Sequence, residues 1–129
     1  MNICIIGDGL TSLSLAKNLI NKKINVHIYY RKKNNLSSNR TIGISRDNFE
    51  FFKSEIQDIP KKNFWPIKDI EIYSEKLKND KIINFKANKK DLFFMIKNDE
   101  LNSIIKKELI KKSFFKYRLI RGNNFYIKL

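Results

Sequence analysis

The chain has 129 residues and a formal net charge of +14, enough length for one domain with a core of its own. So basic a chain ordinarily points to nucleic acid or an anionic membrane surface. Here, however, the excess is lysine (22 Lys against 5 Arg), which rises together with 21 Ile and 16 Asn and is spread from Lys17 to Lys128, a joint bias that an AT-rich genome writes into any protein and that argues against a specific nucleic-acid partner.

The first element is an apolar run, Asn2-Ile3-Cys4-Ile5-Ile6, too short for a buried helix and therefore read as a strand. Cys4 is the only cysteine, so no internal disulfide is possible, and inside a strand it is expected to act as a small buried hydrophobe. Gly7-Asp8-Gly9-Leu10-Thr11-Ser12 follows, and then Leu13, Ala16 and Ile20, with Leu15 and Leu19, recur at helical spacing. A second strand, Asn25-Val26-His27-Ile28-Tyr29-Tyr30, completes a βαβ unit of the dinucleotide-binding kind. Gly7 permits the turn, Gly9 lets a pyrophosphate approach the backbone, and the free amides at the helix N-terminus meet its charge. Ser12 stands where a third glycine would allow the closest packing of helix on strand. The ribose-binding carboxylate expected at the end of the second strand is replaced by Tyr30, followed by Arg31, Lys32 and Lys33, which suit a 2′-phosphate as in an NADP site or form a solvated loop. A generic parallel turn without a ligand is the alternative to nucleotide binding. His27, the only histidine, reads as structural, and no Cys/His metal set can form.

Arg31 to Arg40 is expected to be an exposed loop. Thr41 to Ser45 reads as a short strand or turn, and Asp47 or Asn48 as the cap of a helix carrying Phe51, Phe52 and Ile56. Pro60 to Pro66 reads as a linker plugged by Trp65. Ile67 to Tyr73 and Lys81 to Phe85 alternate about an Asn79-Asp80 turn as a hairpin, and Leu92 to Ile96 as another strand. Asn98 or Asp99 opens an amphipathic helix with Leu101, Ile104, Ile105 and Leu109 on one face. Asp99 and Glu100 stand at its start and Lys106, Lys107, Lys111 and Lys112 toward its end, as the helix dipole favours. Tyr117 to Ile120 and Phe125 to Leu129 read as a final hairpin about residues 121–124. No apolar stretch approaches the roughly 18 residues of a membrane span, and with no signal peptide the expected location is the cytoplasm.

The order of these motifs resembles the amino-terminal part of the flavin-dependent aromatic-ring monooxygenases, most nearly the ubiquinone-biosynthesis hydroxylases. The resemblance rests on the glycine turn at Gly7, on Arg40-Thr41-Ile42-Gly43-Ile44-Ser45 before a Phe-rich helix, on Trp65-Pro66-Ile67 before a hairpin, and on Met95 to Asn102 opening a helix. It implies FAD as the cofactor, with NADP or NAD as alternatives. It also implies an α/β fold: a Rossmann-like FAD/NAD(P)-binding βαβ unit with added β-hairpins. Cofactor contacts are expected at Gly7, Gly9, Leu10, Thr11 and Ser12 around the pyrophosphate, and at Arg40 and Asn102. The implied activity is hydroxylation of an electron-rich ring, with the cofactor doing the hard step. No Gly-Asp pair follows Asp8, and that pair marks the later segment that completes the flavin pocket in the family. Residues 1–129 are therefore expected to form the amino-terminal portion of an FAD-binding domain, an incomplete domain lacking its substrate domain and inactive alone. A second chain is then a candidate partner, and peripheral contact at the inner membrane a candidate location. No catalytic acid or base and no metal site is identified.

Overall fold

The computed structural model describes residues 1–31, 40–56, 59–75, 80–87 and 91–120. They fall into two compact units, one made of Met1–Asn39 with Asn98–Leu129 and the other of Arg40–Lys97.

In the first unit the β-branched run forms β1 (Asn2–Ile6), which pairs in parallel with β2 (Asn25–Tyr30) from Asn2 opposite Asn25 to Ile6 opposite Tyr29. Between them α1 (Leu10–Asn21) buries Leu13, Ala16 and Ile20. Leu15, expected with that set, is half exposed, since it lies only two residues from Leu13 and so about 200° around the helix. The helix ends with Lys23 in the left-handed region (φ 60°) and the Ile24 amide bonded back to the Leu19 carbonyl at 3.1 Å, a Schellman stop with lysine where glycine is usual. The first unit resumes with α3 (Asn98–Ile110), whose Leu101, Ile105 and Leu109 are fully buried. This spacing of four residues puts one stripe on the core.

The strand after α3, β8 (Phe115–Leu119), begins two residues before the Tyr117 expected from the sequence. It pairs in parallel with β2, from Val26 opposite Phe115 to Tyr30 opposite Leu119, giving the order β1-β2-β8. A helix preceding a strand is the connection that parallel pairing requires. The expected second arm, Phe125 to Leu129, lies outside the described residues. Val26, Ile28 and Phe115 are buried on the helix side, while Cys4 and Ile6 are exposed on the other. Cys4 is thus not the buried thiol expected, because strand side chains alternate and Ile3 and Ile5 take the inner positions.

In the second unit β3 (Thr41–Ser45) runs antiparallel to β7 (Phe93–Lys97), which also pairs with β4 (Trp65–Ile67). Between them α2 (Arg46–Glu55) is capped by Ser45, whose Oγ accepts the Asn48 amide at 3.2 Å. The cap therefore lies two or three residues earlier than expected at Asp47 or Asn48, because the helix begins at once where the strand stops. A 3-10 turn, Lys61–Asn63, and β4 occupy the expected linker. Trp65 is 45% exposed, whereas Phe64 is 5% exposed. The plug is the residue before the tryptophan, again through alternation on an extended chain. Phe64 packs edge-on to Phe49 with ring centroids 4.9 Å apart, and Phe49 stacks on Phe94 at 4.0 Å. The hairpin of β5 (Asp69–Tyr73) and β6 (Lys81–Lys86) forms as expected, with Lys81 paired to Glu71. Asn79 of its turn lies outside the described residues, as do Lys32 and Lys33. No helix among the described residues is long and apolar enough to cross a membrane.

Candidate functional site

The glycine turn sits at the carboxyl end of β1, the end at which ligands bind in open parallel sheets. Gly7 adopts φ 101°, a region that side chains with a Cβ enter only at a cost, and its amide extends the ladder to the Tyr29 carbonyl at 2.8 Å. Gly9 differs. It is the N-cap of α1 with extended angles (φ −68°, ψ 168°), which any residue can adopt, and a Cβ built there meets no atom within 4 Å. The fold does not need glycine at this position, yet the space above its backbone is open.

No side chain caps α1 and its first turn holds no acidic residue. The first amides of a helix have no partner inside the helix and carry its positive dipole end. Those of Leu10, Thr11 and Ser12 lie beside the open face of Gly9 and form a ready cradle for an anion. Thr11 is exposed and Ser12 half-buried. The Ser12 hydroxyl lies 4.0 Å from where a Gly7 Cβ would be, so serine is accommodated at the third glycine position.

Asn102 reaches the same turn from α3. Its Nδ2 donates to the Asp8 carbonyl at 3.2 Å, across 94 residues of sequence. The helix thus holds the loop in shape. Arg40 belongs to the second unit, where it is exposed immediately before β3.

Tyr117 and Lys106, which pattern reading missed, and Tyr30, which it noted only as replacing a carboxylate, complete the neighbourhood. Tyr117 on β8 donates its hydroxyl to Asp8 Oδ2 at 2.5 Å, and Lys106, one turn beyond Asn102, donates to the Tyr117 hydroxyl at 2.8 Å. Tyr30 stacks on Tyr117 with centroids 4.0 Å apart. Burial and the adjoining Asp8 carboxylate push the Tyr117 phenol well above the usual range, so it stays protonated and serves as a donor at every physiological pH. The only sequence signal was the i, i+4 spacing of Asn102 and Lys106, which places both on one helix stripe.

A shallow depression of about 360 Å³, lined by Asn2, Asn25, His27, Ser113, Phe114 and Lys116, lies at the amino ends of the strands, opposite the glycine turn. Partial burial, with the charges of Lys116 and Arg118, holds the His27 imidazole below its ordinary value. No cluster of His, Cys, Asp and Glu able to hold a metal occurs among the described residues.

No family model and no curated protein matches this chain. Solved structures do. The p-nitrophenol 4-monooxygenase of Pseudomonas putida DLL-E4 superposes with a TM-score of 0.73 at 15% identity, covering 92% of this chain and 32% of that one. PqsL of Pseudomonas aeruginosa, a probable FAD-dependent monooxygenase, gives 0.73 at 12% identity, covering 92% and 33%. HpxO of Klebsiella pneumoniae, solved with FAD and uric acid, gives 0.65 at 13% identity, covering 91% and 30%. At these identities the likeness is one of fold. The chain has the mixed α/β fold of the FAD-binding domain of flavin-dependent monooxygenases, as expected from the sequence, and spans about a third of the length of these neighbours.

Proposed function

We propose that this chain is the FAD-binding portion of a flavin-dependent monooxygenase that hydroxylates an aromatic ring, of the ubiquinone-biosynthesis type, and that it is inactive alone. The observation that carries the reading is Gly9: an extended N-cap with open space above it, at the head of a helix whose first amides no side chain takes. That cradle fits a pyrophosphate. Gly7, Gly9, Leu10, Thr11 and Ser12 are its proposed contacts, with Arg40 and Asn102 as further contacts of the cofactor. Asn102 already holds the turn through the Asp8 carbonyl. When bound, the flavin supplies the oxygen chemistry of ring hydroxylation. The chain's own part is to bind and orient it. Excluding water from the reacting centre requires a closed site, and a second chain is the proposed source of the missing walls. The proposed location is the cytoplasm, with peripheral contact at the inner membrane.

Calorimetric titration with FAD tests this reading. The chain is expected to bind FAD weakly, to lose it on gel filtration, and to show at most uncoupled NAD(P)H oxidation. Gly9→Val should abolish binding while leaving the melting temperature nearly unchanged, since its side chain enters empty space. A Gly9→Val variant that binds FAD as the parent does would sink the proposal.

Tyr30 favours one second reading. With no carboxylate at the end of β2 and Arg31 next to it, an NADP-binding dehydrogenase-like or regulatory module is the alternative, expected to prefer NADP over both FAD and NAD in the same titration. A basic nucleic-acid-binding role predicts sub-micromolar, sequence-selective binding at ~150 mM salt, where charge-driven complexes are far weaker.

A further inference from the structure

Asp8 is the anomalous residue of this turn. A carboxylate between the two glycines of a loop that receives a pyrophosphate repels its own ligand, and partial burial strengthens such repulsion. Three elements converge on that carboxylate. From β8, Tyr117 donates to Asp8 Oδ2 at 2.5 Å. From α3, Lys106 donates to the Tyr117 hydroxyl at 2.8 Å, and its ammonium lies 4.1 Å from the centre of the Tyr117 ring and 5.3 Å from that of Tyr30. From the end of β2, Tyr30 stacks on Tyr117 at 4.0 Å and fixes the phenol in place. A cation, a phenol and a carboxylate thus form one chain of hydrogen bonds, in which each bond to a charged group is of the stronger kind.

We propose that Tyr117 and Lys106 are positioning residues that tie the Asp8 carboxylate to β8 and offset its charge, leaving the amides at the head of α1 able to accept the phosphates of an adenine dinucleotide. This rests on the cofactor reading above and adds the device by which an acidic turn is made to hold an anion. It also gives Tyr30 a role: at the position where a ribose carboxylate is usual, the chain has a ring that braces the phenol.

The test is calorimetric titration of the full chain with ADP and with FAD, for the parent, Tyr117→Phe, Lys106→Met, Asp8→Asn and the double variants, each checked for fold by circular dichroism. Tyr117→Phe frees the carboxylate and should weaken ADP binding by about tenfold, the scale of one hydrogen bond to a charged group. Adding Asp8→Asn should restore affinity to near the parent's. A merely structural tyrosine gives no such rescue, because deleting a charge does not rebuild lost packing. If Tyr117→Phe does not fold, Lys106→Met carries the same test, since it leaves the phenol and its stacking in place and should also be rescued by Asp8→Asn. Unchanged affinity in Tyr117→Phe and Lys106→Met, or weakening that Asp8→Asn does not repair, overturns the proposal and leaves the cofactor reading intact. A parent that binds neither ADP nor FAD at millimolar concentration overturns both.

Discussion

Helix α1 starts at an extended glycine with no side chain on its first amides, whereas α2 starts at Ser45, whose hydroxyl takes the Asn48 amide, with Asp47 adding its charge in the first turn. α2 follows its strand at once and α1 follows a three-residue glycine turn, and the two ends differ in whether a side chain meets the first amides. At α2 the chain satisfies its own backbone, as helix ends in globular domains usually do. At α1 it leaves donors open and holds the loop from outside, through Asn102 on the Asp8 carbonyl and Tyr117 on the Asp8 carboxylate. A helix end that is finished by its own sequence carries stability; one left open but braced is available to a ligand.

Substitutions can separate these two roles. The largest loss of stability is expected from Phe49→Ala in the second unit, where an 8% exposed ring stacks on Phe94 and meets Phe64 edge-on. A cavity of that kind costs about 3–5 kcal/mol, measurable by urea unfolding, and a cost below ~1 kcal/mol would show that this unit lacks a fixed core. Next is Gly7→Ala. At φ 101° an alanine is strained by about 1–3 kcal/mol, in contrast to Gly9, where a Cβ meets nothing. Equal melting temperatures for the Gly7 and Gly9 variants would erase that distinction. Ser45→Ala removes the cap of α2 and should cost about 1 kcal/mol without touching nucleotide titrations.

The smallest effect concerns His27. Its folded value is lowered by burial, Lys116 and Arg118, so the unfolded chain takes up the proton more readily. Stability is full above the unfolded value of 6.5 and declines as the pH falls below it. Because the ring is partly exposed the slope is shallow, and His27→Asn should flatten it in thermal melts between pH 7 and 5. An unchanged slope would place the effect elsewhere.

Much of this was legible in the sequence because local patterns set it. The βαβ order, the glycines at 7 and 9, the stripe of α3 and the β5–β6 hairpin all follow from periodicities of a few residues. The cofactor contact expected at Asn102 was read from resemblance, and the structure brings that side chain to the glycine turn. What escaped was set by distance or by parity. Pairing of β8 with β2 joins residues about 90 apart, and without it Tyr117 has no visible relation to Asp8. Phe64 and Trp65 differ by one position on an extended chain, which alone decides which ring is buried. The same parity turned Cys4 outward. The apolar character of β1 cannot reveal which side of the sheet each residue takes.

That outward turn makes Cys4 a built-in reporter. It is the only thiol in the chain and is exposed on the sheet face away from the helices, in the row that continues through His27 to Lys116. A maleimide dye can therefore be attached at one known point without any mutation, since access governs thiol labelling. The labelling rate then serves as a clock for that face: any macromolecule that settles over it slows the reaction, whereas a nucleotide confined to the glycine turn leaves the rate as it was.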